Sequence, residues 1–99
     1  MYQKLEVSVI EWAEDKGIFS KATPMKQALK TQEEVTELLT AIEDKDRDEI
    51  ADALGDILVT IIIQAEMQGM SLERCLQGAY NVISKRTGKM VNGQFVKDE

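Results

Sequence analysis

An all-α fold is predicted for this chain: an antiparallel bundle of about four helices, completed by oligomerisation, with a short β-hairpin at the C-terminal end. Three observations carry the prediction. Apolar residues recur at helical spacing through four long segments. Helix boundaries are marked by residue type, with Thr23-Pro24 and Ser71 at two starts and Gly17 and Gly69 at two ends. Around Ile57–Ile63 the third helix is apolar on every side, more than one neighbouring helix can cover in a chain of 99 residues. A monomeric bundle wrapped around that helix is the alternative.

The first helix, roughly 2–16, puts Leu5, Val9, Trp12 and Ala13 on one face and stops at Gly17; "GIFSKA" is read as a connection. The second takes Thr23 as N-cap and Pro24 at its first position and runs to about Asp44, with Ala28, Val35, Leu38, Leu39 and Ile42 at helical spacing. "DKDRD" is a polar break short enough to make the next helix, about 47–68, its antiparallel neighbour. Ser71 caps a fourth helix, 72–85, expected to turn Leu72, Leu76, Ala79, Val82 and Ile83 inward. Asn92-Gly93 between apolar residues in "GKMVNGQFV" signals a hairpin. No repeat or composition shift divides the chain, so residues 1–99 are read as one domain.

Composition narrows the function. A net charge of −6 argues against nucleic acid as a partner, because backbone binding needs a basic patch. With no histidine and one cysteine, Cys75, neither an internal disulfide nor an intrachain zinc site can form, and a di-iron site built on Glu-x-x-His is excluded. The apolar run 53–63 is too short to span a membrane and carries Asp56. The amphipathic, acidic N-terminus has no apolar export core, so a cytoplasmic protein without membrane association is expected.

Residues 31–56 contain ten acids against two bases, Lys45 and Arg47. At about 100° per residue, Lys30, Glu34, Glu37 and Ala41 share a stripe of the second helix, with Glu33 beside it. Glu49, Asp52, Asp56, Thr60 and Ile63 share one on the third. In a hairpin these stripes face each other, and facing carboxylates need something positive between them. Asp56 is the sharpest case, because its helix is expected to carry it into, or to the edge of, an apolar interior. Hard oxygen donors without nitrogen or sulfur select Mg²⁺, or Mn²⁺ in its place, an ion that keeps water and shares substrate phosphate. A salt bridge from Asp56 to Lys30, Lys85 or Arg86 is the alternative. Glu43, Asp44, Asp46 and Asp48 read as solvated surface.

"KTQEEVTELLTAI" followed by "DEIADALGDILVTIIIQAE" resembles the MazG-like nucleotide pyrophosphohydrolases of the all-α NTP pyrophosphatase superfamily, and "AYNVISKRTGKMVNGQFVKDE" is similar to the ending of short, phage-type members. The resemblance covers roughly residues 26–99. Glu33, Glu34 and Glu37 complete the family's Glu-Glu-x-x-Glu. In its second motif, Glu-x-x-Asp, Asp56 matches the final residue but Ala53 stands where Glu is expected, while Glu49-Ile-Ala-Asp52 fits the motif one turn earlier. The resemblance implies a helical dimer or tetramer that hydrolyses a (d)NTP to (d)NMP and pyrophosphate. It implies Mg²⁺ on Glu34, Glu37, Asp52 and Asp56, and a proton acceptor or supporting carboxylate at Glu33 or Glu49. Lys30, Lys85, Arg86 and Lys89 are candidates to neutralise phosphate, Asn81 to bond sugar or base, and Trp12 or Tyr80 to stack on the base. Two other readings compete: a non-catalytic module binding a nucleotide or protein, which Ala53 favours, and action on a phosphoribosyl-ATP-like substrate.

Overall fold

The computed structural model describes residues 2–98. Helix α1 (Tyr2–Asp15) ends at Gly17, whose φ of 75° turns the chain sharply. The segment read as a bare connection forms one helical turn, α2 (Ile18–Lys21), with Ser20 Oγ donating to the Gly17 carbonyl at 3.0 Å. A four-residue turn carries too little periodicity to stand out in the sequence.

Helix α3 (Pro24–Glu43) starts where expected, the Thr23 hydroxyl accepting from the Lys26 N–H at 3.2 Å. Lys45, at φ 55°, reverses the chain, and Asp46 caps α4 (Arg47–Met67) by accepting from the Glu49 N–H at 3.2 Å. Gly69, at φ 68°, closes α4. Ser71 caps α5 (Leu72–Ile83), which stops two residues short of the expected 85; Ser84, Lys85 and Arg86 close its end as successive turns. The hairpin is present as β1 (Gly88–Val91) antiparallel to β2 (Gln94–Lys97), with Met90 opposite Phe95. Asn92 and Gly93 both have positive φ, 51° and 82°, as a two-residue type I′ turn demands.

Helices α3 and α4 share the largest helix–helix contact and run antiparallel: Gln64 Nε2 reaches the Pro24 carbonyl at 2.8 Å, and Gln27 Nε2 the Thr60 carbonyl at 3.2 Å. The seam is built from small and polar residues, with Gln27, Glu34 and Ala41 facing Ala53 and Thr60. Against α4 pack α1, through Ala13, and more lightly α5. Gln3 ties α1 to Glu73 of α5 at 2.7 Å.

Several faces expected to be inward are not covered within one chain. Of the expected apolar face of α1 only Ala13 is buried, Val9 is half-buried, and Leu5 and Trp12 are exposed, because α1 meets α4 along one narrow seam. On α5 Leu72 is partly covered, but Leu76, Ala79, Val82 and Ile83 lie open, since α5 touches α4 mainly at its start. Val35, Leu39 and Ile42 on α3 and Leu54 and Leu58 on α4 are exposed on the flank away from the acids. Among the described residues no large side chain is fully buried; the core is Ala13, Ala41, Ala53, Ile62, Ile63 and Ala65. The chain presents 7990 Å² to solvent, where a compact monomer of its mass would present about 5,700 Å². Among the described residues no helix is long and apolar enough to cross a membrane.

The caps should differ in weight. Thr23→Ala is expected to lower the unfolding free energy by about 1 kcal/mol. Ser71→Ala should cost less, because its bond to the Arg74 N–H is long, 3.4 Å, and α5 is thinly packed. Urea titrations followed by circular dichroism measure both.

Candidate metal centre

The seam between α3 and α4 decides which acids meet. Residues 27, 34 and 41 of α3 sit at the centre of its buried face, so Lys30 and Glu37 fall on one flank. On α4, Ala53 and Thr60 are central and Asp56 lies on the facing flank. Carboxylate oxygens of Glu34, Glu37 and Asp56 come within 4.8 Å of one another. Glu34 is 8 % exposed, whereas Glu37 and Asp56 open to solvent. Asp56 therefore stands at the rim of the apolar segment and not inside it, because its position on the helix misses the packed stripe.

Positive charge at the trio is scarce. Lys30 Nζ lies 3.6 Å from Glu34 Oε1 and 3.9 Å from Glu33, whose side chain is otherwise in solvent. Among the described residues of the single chain Asp56 makes no ion pair with Lys30, Lys85 or Arg86. Glu34 Oε2 is buried with no hydrogen-bond partner among the described residues, an arrangement that costs free energy unless a cation or a proton completes it. A hydrogen bond shared with Glu37, then burial and the Glu37 charge, hold the Glu34 carboxyl above its ordinary value, with Lys30 opposing. Asp56 is also raised, first by partial loss of solvent and then by the charges of Asp52 and Glu34, again against Lys30.

Two recesses flank the trio. One, about 440 Å³, is lined by Glu37, Glu49 and Asp52 together with Thr40, Asp44 and Asp46. Asp52 thus lies beside the trio, one turn from Asp56, and Asp44 and Asp46 edge a recess while staying exposed. The other, about 450 Å³, has Glu34, Asp56 and Lys30 at its charged end and Trp12, Val59 and Ile63 along its walls. Gln27 and Thr60 contribute its polar groups. Tyr80, Asn81, Lys85, Arg86 and Lys89 line neither recess; they follow one another through the last turn of α5, the turns after it and β1. Gln27 went unnoticed in the sequence, and Thr60 was placed on the acidic stripe without a role, although positions 27, 31 and 34 of α3 carry polar residues at helical spacing on one face.

An acid held above its ordinary value favours the fold when protonated. The contribution of Glu34 and Asp56 to the metal-free fold is complete below the ordinary carboxylate range and is lost as pH rises through their raised values. A divalent cation should remove this loss, because it binds the ionised pair. Asp56→Asn is expected to hold the metal-free melting temperature at neutral pH or raise it by about 1–4 °C, and to flatten its pH dependence. Thermal melts from pH 4 to 8 (roughly the span over which carboxyls titrate), with Mg²⁺ and with chelator, test this; a drop of several degrees would mean that Asp56 stabilises the metal-free fold.

Residues 22–91 match the MazG nucleotide pyrophosphohydrolase domain. The chain is also 36 % identical, over 64 residues, to the uncharacterized 18.2 kDa protein in the rep-hol intergenic region of Haemophilus phage HP1 (strain HP1c1). That match covers 65 % of this chain and 39 % of the phage protein, so the chain corresponds to well under half of that relative. No solved structure matches the present chain. The matched segment holds all three carboxylates of the trio and both helices that present them, and the chain belongs to the MazG nucleotide pyrophosphohydrolase family.

Proposed function

We propose that the chain is a Mg²⁺-dependent nucleoside triphosphate pyrophosphohydrolase that converts a (d)NTP to the (d)NMP and pyrophosphate, in nucleotide-pool control or the removal of damaged nucleotides. The observation that supports it best is the orphaned Glu34 oxygen inside a group of three carboxylates from two helices. Those donors suit a hard cation, and the exposure of Glu37 and Asp56 leaves room for water and phosphate to share it. Glu34, Glu37 and Asp56, with Asp52 beside them, would hold Mg²⁺, or Mn²⁺ in its place. Bound there, the ion would offset phosphate charge and lower the pKa of the attacking water.

The chain's own residues do the rest. Water oxygen bonds to the α-phosphorus as the bond to the α–β bridging oxygen breaks, and pyrophosphate leaves with that electron pair. Glu33 or Glu49 accepts the proton released by the water. Lys30 neutralises phosphate, and Trp12, exposed on the wall of the apolar recess, stacks on the base. Tyr80, Asn81, Lys85, Arg86 and Lys89 remain proposed contacts to sugar, base and phosphate; lining neither recess of their own chain, they would have to be supplied by a second copy.

A homodimer or homotetramer accords with the surplus of about 2,300 Å² over a compact monomer, more than the roughly 800 Å² per partner of a standard interface. The exposed thiol of Cys75 fits a reducing cytoplasm. Ala53 keeps the non-catalytic reading alive. It is 5 % exposed in the α3–α4 seam, so the Glu of the family motif has no room there without parting the helices, and Asp52 is the residue left to serve.

Pyrophosphate release from a panel of natural and modified (d)NTPs, with Mg²⁺ and with chelator, tests the reaction. Metal-dependent release is expected, and Asp56→Asn or Glu34→Gln should lower kcat/KM by more than about 100-fold. Ala53→Glu should lower both activity and melting temperature; a gain in activity would mean that a ligand is missing. No release from folded protein, with Mn²⁺ also tried, would favour the non-catalytic module. Light scattering is expected to give at least twice the 11.1 kDa chain mass. Leu39→Glu combined with Leu54→Glu should dissociate the assembly.

A further inference from the structure

We propose that Gln27 is a base-contacting residue whose carboxamide hydrogen-bonds the Watson–Crick edge of a nucleobase seated on Trp12; this rests on the nucleotide reading above. The apolar recess is bounded by Trp12 on α1, Ile18 and Ala22 near α2, and Val59 and Ile63 on α4. Such walls suit the faces of a flat heterocycle, and at one end stand Lys30, Glu34 and Asp56, where phosphate would lie. Gln27 precedes Glu34 by seven residues, two helical turns or about 10.5 Å along α3. A nucleotide spans a distance of that order from base edge to α-phosphate.

The polar groups beside Gln27 are already committed. The Thr60 hydroxyl donates to the Ile57 carbonyl at 2.7 Å and accepts from Thr31 Oγ1 at 2.9 Å, so neither threonine has a hydrogen to spare. Gln27 differs. It is 7 % exposed, and its Nε2 donates to the Thr60 main-chain carbonyl at 3.2 Å. A carbonyl can only accept, which fixes the amide's orientation. Oε1 then has no hydrogen-bond partner among the described residues, yet it is not among the sealed, unpartnered atoms of the molecule. Together with the second N–H it forms a donor–acceptor pair on a residue lining the recess. The Watson–Crick edge of each common base offers the complementary pair.

Packing alone would explain a buried glutamine bridging two helices, so the test must separate a base contact from a structural role. Trp12 is the single tryptophan, and its fluorescence reports occupancy of the recess without requiring turnover. The oligomeric wild type and Gln27→Met would be titrated, with Mg²⁺, with α,β-imido-dCTP, α,β-imido-dTTP and inorganic tripolyphosphate, calorimetry following the last. Gln27→Met is expected to weaken both nucleotides by about tenfold and leave tripolyphosphate, which has no base, unchanged. In the wild type, N3-methylation of the thymine analogue should cost a similar factor, since it blocks the edge. Equal weakening of nucleotides and tripolyphosphate would overturn the proposal, as would unchanged nucleotide affinity or nucleotides that bind no better than tripolyphosphate. Gln27-dependent nucleotide binding without pyrophosphate release from the natural substrates would uphold the base contact and overturn the hydrolase reading instead.

Discussion

The close approach of α3 and α4 is the constraint on which the rest of the molecule depends. Ala41 and Ala53 keep the seam narrow, and the bonds from Gln27 to the Thr60 carbonyl and from Thr31 to the Thr60 hydroxyl fix its register. A helix cannot slide past its neighbour without leaving those buried groups unpaired. With register fixed, Glu34 and Asp56 must confront each other, and Glu37 completes the group. The raised protonation of Glu34, first through its hydrogen bond with Glu37, and of Asp56, first through partial loss of solvent, follows from this seam, and the like charges it gathers add to both.

The same seam leaves the single chain short of a hydrophobic core. Alanine and threonine bury little apolar area, and the larger side chains of α3 and α4, Val35, Leu39, Ile42, Leu54 and Leu58, face the opposite flank. Acids on one flank and apolar residues on the other give the helix pair two dissimilar sides. The proposed association would use the apolar side and leave the acidic side open to solvent and ligand. The isolated hairpin fits this division, for two strands with every residue exposed are marginal by themselves.

Much of the architecture was legible because it is local. Thr23-Pro24, Ser71 and Gly69 act on the backbone within a turn of themselves, and Asn92-Gly93 selects its turn without reference to the rest of the chain. The pairing of acidic stripes was legible for the same reason: a three-residue break leaves two long helices little choice but to lie antiparallel. What was misjudged is non-local. Apolar spacing on α5 correctly indicates a face that needs covering but cannot say whether its own chain supplies the cover. On α3 the conspicuous apolar stripe, Ala28, Val35, Leu39 and Ile42, drew attention from the face that packs, where Gln27, Thr31, Glu34, Leu38 and Ala41 mix polar and apolar types. Polar residues at core spacing look like surface until a partner for each is known.

That polar face also accounts for the order of parts along α3. Thr31, half-buried, and Glu34 lie successively one turn on from Gln27, and the recess changes from apolar walls near Trp12 to carboxylates near Asp56 over the same length. A ligand lying in it would therefore meet flat apolar surface first and carboxylate oxygens last. Reversing it would put a hydrophobic moiety against the buried Glu34 and its neighbour Asp56, and phosphate against Trp12, losing on both counts. A phosphorylated planar molecule has one favourable direction in this recess, and Ala53 does not alter that direction, because it is sealed in the seam and offers the recess nothing. The departure from the family motif thus bears on how many oxygens reach a cation beyond Glu37, where Glu49 and Asp52 stand, and leaves the polarity of the site as Gln27, Glu34 and Asp56 set it.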